Sequence, residues 1–298
     1  MNAPVGTELP LSITTLAVTL TAFDPVRLPA FAGSTLRGAV GNALRRLRCS
    51  TGLPDCDGCP AFDRCGYTQA FLGTSAGPDR PRRLAHASPP YTLTPSRWTG
   101  HPLYLQPGET TSFSLQLLGE TGLSAAAWEA GIRAAGLAGL ASARGRATAT
   151  VATSHPWRPQ LRSTGPRTVR LHLRTPLHIT KDRKRLGHFD VEAFTRRLAS
   201  RVEHLVDLYG EGPSPLDHAT LAALAADVRT ADADLAVVTD HRVSDRQGRA
   251  IPITGIVGTV TLADVPGPLR DLWRLAETLH AGKGAPMGLG HVTLEEPG

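Results

Sequence analysis

Hydrophobic residues in the first half of the chain follow two spacings, a period of two and a period near 3.6. Leu16, Val18 and Leu20 alternate with small or polar residues within residues 11–22, which predicts a half-buried strand. After a proline-containing turn, Ser34 is placed to cap a helix with the apolar residues Leu36, Val40, Ala43, Leu44 and Leu47. The pattern then predicts a strand at Phe113, Leu115 and Leu117, a helix over residues 124–140 and a strand over residues 146–153.

A second cycle of strands and helices follows residues 155–166, where three prolines mark the predicted boundary between two units. Val169, Leu171 and Leu173 alternate as a strand, and the apolar stripe over residues 191–209 fits one long helix. The two cycles predict tandem α+β units over residues 1–154 and 167–298, with helices on one face of mostly antiparallel sheets. The other predicted elements are helices at 216–228 and 268–280 and strands at 235–238, 251–262 and 291–294.

The region between the first helix and the strand near Phe113 shows neither spacing. Residues 49–65 hold all four cysteines, and residues 73–110 are rich in proline, glycine, serine and arginine. We therefore predict an irregular, cysteine-containing insertion at about residues 49–110 of the first unit.

The charge balance favours a polyanionic partner such as RNA or DNA. The formal net charge is +6 and the sequence pI is near 9.5. Only Lys181, Lys184 and Lys283 among the 32 basic residues are lysines, and the planar fork of arginine suits phosphates and base edges. A GC-rich genome would also raise the arginine content, so the composition alone has two explanations.

No stretch reaches the roughly 18 apolar residues of a membrane helix, and the start MNAPVGTELP lacks the basic and apolar regions of a signal peptide. We therefore expect a cytoplasmic protein with no membrane partner. In that compartment the cysteines are expected to remain thiols or to hold a metal rather than to form disulfides.

The four cysteines surround a C-x-x-C core, a spacing at which two thiolates can bind one ion. Four thiolate ligands predict a closed, tetrahedral zinc site with a structural role, and no catalytic metal. An iron–sulfur cluster and unligated thiols stay open as alternatives, because the spacing differs from that of a double-knuckle zinc ribbon. The ligand candidates are Cys49, Cys56, Cys59 and Cys65.

A glycine-rich segment precedes the last predicted strand and includes Lys283. Backbone N–H groups of such a segment can approach a phosphate without obstruction by a Cβ atom. We predict that it cradles a nucleic acid backbone. An ordinary turn is the alternative, and the spacing is not that of the nucleotide-binding P-loop. The glycines are Gly282, Gly284, Gly288 and Gly290.

Segments spread over almost the whole chain resemble one protein family. They are STLRGAVGNALRRLRC (34–49), LPDCDGCPAFDRCGY (53–67), TPLHITKDRKRLGHFDVEAFTRRLASRVEHL (175–205), SDRQGRAIPITGIVGTVTL (244–262) and HAGKGAPMGLGHVTLE (280–295). In this order they are similar to a cysteine-bearing branch of the CRISPR pre-crRNA-processing endoribonucleases of the RAMP superfamily. The resemblance implies tandem ferredoxin-like, RRM-like units and, as partners, CRISPR repeat RNA, crRNA and other Cas effector subunits.

The resemblance also implies metal-independent cleavage at a repeat hairpin, in which a 2′-hydroxyl attacks the adjacent phosphorus to give a 2′,3′-cyclic phosphate. Many family members place a catalytic histidine in the first unit, but the first histidine here is His86, in the insertion. We therefore predict His280 as the proton-transfer group, with a partly buried, backbone-bonded residue as the alternative. Arg37 and Arg242 are predicted to stabilise the phosphorane, with Arg246 as a further candidate and phosphate positioning as the alternative role.

Other basic side chains are predicted to contact RNA phosphates. The run at residues 181–185 and the glycine-rich segment are expected to line a groove that follows the A-form stem of a hairpin. A solvated loop is the alternative for the run. The candidates are Arg45, Arg46, Lys181, Arg183, Lys184, Arg185 and Arg246.

Two other functions stay open on the sequence alone. A non-catalytic RAMP subunit that binds guide RNA in an effector complex is favoured by the missing N-terminal histidine. A zinc-dependent nucleic acid regulator built on the cysteine segment is compatible with the cysteine spacing.

Overall fold

The computed structural model describes residues 7–73, 88–95, 98–120, 122–141, 144–181, 184–244 and 249–297, with the backbone alone at 242–244, 249 and 250. In chain order the described strands are β1 (Thr7–Glu8), β2 (Ile13–Ala22), β3 (Val26–Leu28), β4 (Tyr91–Pro95), β5 (Leu103–Leu105), β6 (Thr110–Leu118), β7 (Ala147–Thr153), β8 (Gln160–Leu161), β9 (Arg167–Leu177), β10 (Thr180–Lys181), β11 (Lys184–Arg185), β12 (Arg229–Ser244), β13 (Arg249–Val265) and β14 (Val292–Glu295). The helices are α1 (Gly33–Arg48), α2 (Ala125–Ala138), α3 (Val191–Tyr209), α4 (His218–Ala226), α5 (Gly267–Arg274) and α6 (Ala276–Leu279), with short helical turns at Phe62–Arg64, Thr68–Leu72 and Ala285–Met287.

The chain divides into two compact units. The N-terminal unit is Ser12–Trp157, and the C-terminal unit is Arg158–Gly298 together with the residues that precede Ser12. The predicted first unit, residues 1–154, therefore needs correction at its start, because the residues before Ser12 belong to the C-terminal unit. Residues 7 and 8 belong to the C-terminal unit because β1 pairs with β8 in an antiparallel ribbon.

Each unit is built on a four-stranded antiparallel sheet with the strand order of a ferredoxin-like fold. The sheet order is β4-β6-β2-β7 in the N-terminal unit and β12-β13-β9-β14 in the C-terminal unit. Counted in chain order among the four strands of each sheet, the first strand lies between the third and the fourth. Helices connect the first strand to the second and the third strand to the fourth. The predicted tandem α+β, ferredoxin-like fold is confirmed.

The core of the N-terminal unit forms where α1 and α2 pack together and against the sheet. Four residues of the predicted apolar stripe of α1 are buried, but the fifth, Leu47, is 52% exposed. The inward residues of β2 are buried as well. A Cβ atom at Gly131 would lie 2.5 Å from Leu44 Cδ2, so the two helices approach at a distance that only glycine permits. Trp128 of α2 meets Tyr91 edge to face with ring centroids 5.1 Å apart, which fills the space between helix and sheet.

The C-terminal core follows the predicted stripe of α3. Phe194 is fully buried against Trp273 of α5, with ring centroids 6.1 Å apart. The indole Nε1 of Trp273 donates a hydrogen bond to Thr195 Oγ1 at 3.1 Å, so its polar atom is satisfied inside the core. Asp190 caps α3 by accepting a bond from the Ala193 amide at 2.8 Å.

Two local predictions were wrong. Ser34 does not cap α1, because the helix already begins at Gly33 and Ala32 occupies the capping position without a side-chain bond. The insertion at residues 49–110 is not irregular throughout, since Tyr91–Pro95 is an edge strand of the sheet and Leu103–Leu105 pairs with Val26–Leu28. The proline-rich surroundings of β4 masked its alternation, and an edge strand tolerates the proline at its end.

Within the part of the chain that the structure describes, no helix is both long and apolar enough to cross a membrane.

A buried ion pair fastens the end of the C-terminal unit. Arg270 is 2% exposed; its Nη1 atom donates to Glu296 Oε2 at 2.9 Å, and Nη2 donates to the carbonyls of Thr164 at 2.6 Å and Gly165 at 2.9 Å. Burial alone would raise the pKa of Glu296, but the guanidinium groups of Arg274 and Arg270 lower it overall. The carboxylate therefore stays charged and paired.

Removing this arginine should be costly because the Arg270 side chain is enclosed and supplies a donor to two carbonyls and to the partly buried Glu296 carboxylate. We expect Arg270→Ala to lower the free energy of unfolding by about 3–5 kcal/mol. Arg229→Ala removes an arginine whose side chain is 79% exposed beside Asp264, and should change the free energy by less than about 0.5 kcal/mol. Urea unfolding of both variants, followed by circular dichroism, measures the difference. Equal losses in the two variants would contradict the assignment.

Candidate nucleic-acid interface around the glycine-rich loop

The glycine-rich loop, residues 282–290, is held in a backbone conformation that depends on its glycines. Gly282, Gly284, Gly288 and Gly290 have φ angles of +75°, +86°, +95° and +67°. A Cβ atom at Gly290 would lie 1.8 Å from the Ala281 carbonyl oxygen, and one at Gly282 would lie 2.4 Å from the His178 carbonyl oxygen. Glycine is therefore required both for the left-handed angles and for the close approach of the backbone.

The loop is bonded to the end of β9. The Lys283 amide donates to the His178 carbonyl at 3.2 Å, and the Gly290 amide donates to the Pro176 carbonyl at 3.1 Å. The Thr175 hydroxyl donates to the Gly288 carbonyl at 2.7 Å. These bonds fix the loop to a central strand of the sheet.

The predicted phosphate cradle needs correction because most of the loop's backbone donors point inward. The amides of residues 283, 287, 288, 289 and 290 all donate to carbonyls of the protein. Gly288 and Gly290 are buried, while Gly282 and Gly284 are half-buried. Direct RNA contact from Gly288 or Gly290 is therefore excluded in this conformation, and the exposed Lys283 side chain is the part of the loop offered to a phosphate.

His280 lies beneath the loop and does not suit the predicted catalytic role. It is fully buried, with Nδ1 3.2 Å from the Leu289 carbonyl oxygen and its ring stacked on His291 at 4.9 Å. Burial, and then the neighbouring His291 and Arg201, lower the pKa of His280 well below its usual value. His280 is thus a neutral structural residue bonded to backbone, as the alternative interpretation expected, and a substrate has no access to it.

The basic run forms a hairpin beside the loop. Its strands β10 and β11 pair Thr180 with Arg185 and Lys181 with Lys184. Lys184 and Arg185 are exposed, whereas Lys181 is held by Asp190 with Nζ to Oδ2 at 2.9 Å. The predicted contact Arg183 lies outside the described residues.

His178, which the sequence analysis did not predict as a site residue, lies between the glycine-rich loop and the basic hairpin. His178 follows β9, is half-buried, and has Nδ1 3.0 Å from the Thr254 carbonyl oxygen. Burial lowers the pKa of His178, and the positive charges of Lys283 and Arg185 lower it further against the opposing effect of the Thr254 bond. The sequence signal was a histidine at a strand end, three positions before the basic run. We call His178, Lys184, Arg185 and Lys283 the loop–hairpin cluster.

The predicted arginines of the N-terminal unit are held by neighbours of their own. Arg37 Nε donates to Tyr91 Oη at 2.7 Å, and the guanidinium carbon lies 4.8 Å from the centre of the Phe71 ring. Arg45 Nη2 donates to the carbonyls of Leu53 at 2.5 Å and Pro54 at 2.6 Å, so Arg45 fastens the cysteine segment. Arg45 therefore has a structural role, and its predicted contact with RNA stays a prediction.

Of the remaining arginine candidates, Arg46 has an exposed side chain on α1. Arg242 pairs with Ile251 through the β12–β13 ladder, but its side chain is not described. Arg246, like His86, lies outside the described residues. The proposed roles of these arginines stay predictions.

The four cysteines are brought together. Cys49, Cys56, Cys59 and Cys65 all line one small cavity of about 20 Å³ in the N-terminal unit. Thr51 Oγ1 lies 3.7 Å from Cys49 Sγ and 3.5 Å from Cys59 Sγ. Burial raises the pKa of the Cys56 thiol, and the other three thiols raise it further. Within the described residues, however, no group of three or more His, Cys, Asp or Glu side chains is arranged to hold a metal ion.

Comparison with solved structures finds the same two-unit fold at low sequence identity. A Cas6 product complex is 16% identical with a TM-score of 0.55, covering 95% of this chain and 99% of that one. Cas6 of Thermus thermophilus is 13% identical with a TM-score of 0.53, covering 97% and 99%. A partial Cas6-RT-Cas1–Cas2 complex is 11% identical with a TM-score of 0.57, covering 97% of this chain and 47% of that one.

A search of the curated proteins finds no match. Two family models do match, side by side. The N-terminal domain model AF_1859_N matches residues 9–170, and the model of the CRISPR-associated endoribonuclease Cas6 matches residues 171–292. Together they span nearly the whole chain, and the second contains β9 from Leu171 onward, the basic hairpin and the glycine-rich loop. Residues 171–292 thus belong to the Cas6 family of CRISPR-associated endoribonucleases, and this match supports a pre-crRNA-processing protein of the RAMP type.

Proposed function

We propose that the protein cuts CRISPR repeat RNA at a hairpin without a metal cofactor. A 2′-hydroxyl attacks the adjacent phosphorus, the bond to the 5′-oxygen breaks, and the products are a 2′,3′-cyclic phosphate and a 5′-hydroxyl. The observation that carries the proposal is the loop–hairpin cluster, in which Lys283 and the exposed pair Lys184 and Arg185 offer positive charge beside a histidine. Such groups can hold the phosphate and stabilise the charge of the phosphorane.

The partners that we propose are the repeat RNA, the cleaved crRNA and other Cas subunits. The charge of +6 supports the first two, since counterion release drives binding of RNA phosphates. The similar structure of a partial Cas6-RT-Cas1–Cas2 complex supports other Cas subunits as partners. A purely RNA-binding subunit is the second candidate, favoured by the absence of any histidine before His86.

Cleavage of a synthetic repeat hairpin tests the proposal. In EDTA, the purified protein should cut the RNA at one position and leave a cyclic phosphate, because the nucleophile comes from the RNA itself. Replacing the 2′-hydroxyl at the nucleotide 5′ of the cut by hydrogen should abolish cutting without weakening binding. Gel analysis and mass spectrometry of the products provide the measurement. Tight binding with no cut in any buffer would select the non-catalytic alternative.

The role of the exposed cations is tested by the salt dependence of binding. Lys283→Ala should weaken binding of the repeat RNA and make the slope of log affinity against log salt shallower by roughly 0.7–0.9. Arg167→Ala is the matched control, because this exposed arginine lies at the opposite end of β9 from the loop. Fluorescence anisotropy over a salt series measures both variants. Equal slopes for Lys283→Ala and the unaltered protein would show that Lys283 makes no phosphate contact.

We further propose that the cysteine cavity holds a structural zinc ion. The support is that four soft ligands line one cavity. The ion would stabilise the segment that Arg45 ties to α1 and would take no part in cleavage.

Metal analysis of the purified protein tests this site. The unaltered protein should contain stoichiometric zinc, and the double variant Cys56→Ser, Cys59→Ser should lose the zinc and melt at a lower temperature. Ser50→Ala, in the lining of the same cavity, is the control and should keep the metal. Iron in place of zinc, or no metal in the unaltered protein, would contradict the proposal.

A further inference from the structure

Three segments of the C-terminal unit meet at His178. Its carbonyl oxygen accepts the Lys283 amide from the glycine-rich loop at 3.2 Å. The residue after it, Ile179, accepts the Leu186 amide at 3.0 Å and so closes the basic hairpin. Its ring contacts the Thr254 carbonyl of β13. A histidine at this position is fixed by backbone on three sides, and the residue stays partly exposed.

The contact with Thr254 determines which ring nitrogen carries the proton. A carbonyl oxygen only accepts hydrogen bonds, so the Nδ1 atom 3.0 Å away must be the N–H donor. In the neutral ring, Nε2 then carries the lone pair. This is the tautomer that a histidine needs to take a proton from a hydroxyl group.

The charges around the ring keep it neutral and place cations where a phosphate would bind. Lys283 from the loop and Arg185 from the hairpin are the charged groups that act on His178, and both disfavour a second positive charge. After burial, they are the causes that lower the pKa of His178 below its usual value. This arrangement suits RNA cleavage, in which a neutral base takes a proton from a hydroxyl and cations stabilise the charge of the neighbouring phosphate.

We propose that His178 is the general base of RNA cleavage, a role that rests on the proposed function. Nε2 accepts the proton as the 2′-O–H bond breaks, and the 2′-oxygen forms a bond to phosphorus. The bond from phosphorus to the 5′-oxygen breaks, and that oxygen leaves with the electron pair and takes a proton from water. The hydroxide that remains is neutralised by the proton on His178, which restores the neutral ring. Lys283 and Arg185 stabilise the phosphorane charge.

The substitution His178→Asn separates the base from its structural bond. The Asn amide nitrogen can replace Nδ1 as the donor to the Thr254 carbonyl, but Asn cannot take up a proton. Single-turnover cleavage of the repeat hairpin should fall at least about 100-fold in His178→Asn and in His178→Ala. RNA affinity and melting temperature of His178→Asn should stay close to those of the unaltered protein. His172→Asn, earlier on β9 and bonded to Glu295, is the control and should cut normally.

The pH dependence distinguishes a base from a merely structural histidine. The rate for the unaltered protein should rise with pH through a pKa below the ordinary histidine value and then level off, because the base must be unprotonated. His178→Asn should lose that rise. A variant that cuts slowly with the same rise in rate would show that another group is the base.

A substrate with sulfur in place of the 5′-oxygen distinguishes a base from an acid. Sulfur leaves without a proton, so it rescues a variant that lacks the acid but not one that lacks the base. His178→Asn should stay slow on this substrate, and rescue would overturn the assignment. Normal cleavage by His178→Asn would also overturn it while leaving the proposed function intact. If the unaltered protein cuts no repeat RNA, the proposed function itself fails.

Discussion

The attachment of the glycine-rich loop to the end of β9 is the constraint on which the site depends. Gly282 lies against the His178 carbonyl and Gly290 against the Ala281 carbonyl, at distances where any side chain would clash. Once these contacts form, the position of Lys283 relative to His178 is fixed by covalent geometry and two backbone hydrogen bonds. The positive charge of Lys283 is therefore carried by a backbone that is hydrogen-bonded to the end of a central strand.

The histidines of the C-terminal unit divide into two roles because their surroundings differ. His280 and His291 stack under the loop, and burial keeps both neutral, lowering the pKa of His291 to about 4. They act as flat, polar packing, and the His280 ring donates to the Leu289 carbonyl without introducing a charge. His178 is partly exposed and close to two cations, and this difference is the basis of the proposal that its ring takes part in cleavage.

The periodic pattern of the sequence was sufficient for most of the fold and insufficient for the site. The stripe of α3 and the alternation in β2 and β9 are local properties, and the structure buries the residues that they predicted. The site depends on contacts between distant residues, such as the bond from His178 to Thr254, 76 positions away. Proximity of His280 to the glycines in sequence was misleading, because the left-handed turn at His280, with φ of +57°, directs the chain so that the ring is enclosed.

The central claim is that the basic hairpin and the glycine-rich loop form one RNA-binding surface at the end of β9. Photocrosslinking of a repeat hairpin to the protein, followed by mass spectrometry of the attached peptides, tests it most directly. We expect crosslinks to peptides that contain Lys184, Arg185 and Lys283. Crosslinks in the C-terminal unit that are confined to the opposite end of β9, near Arg167, would contradict it.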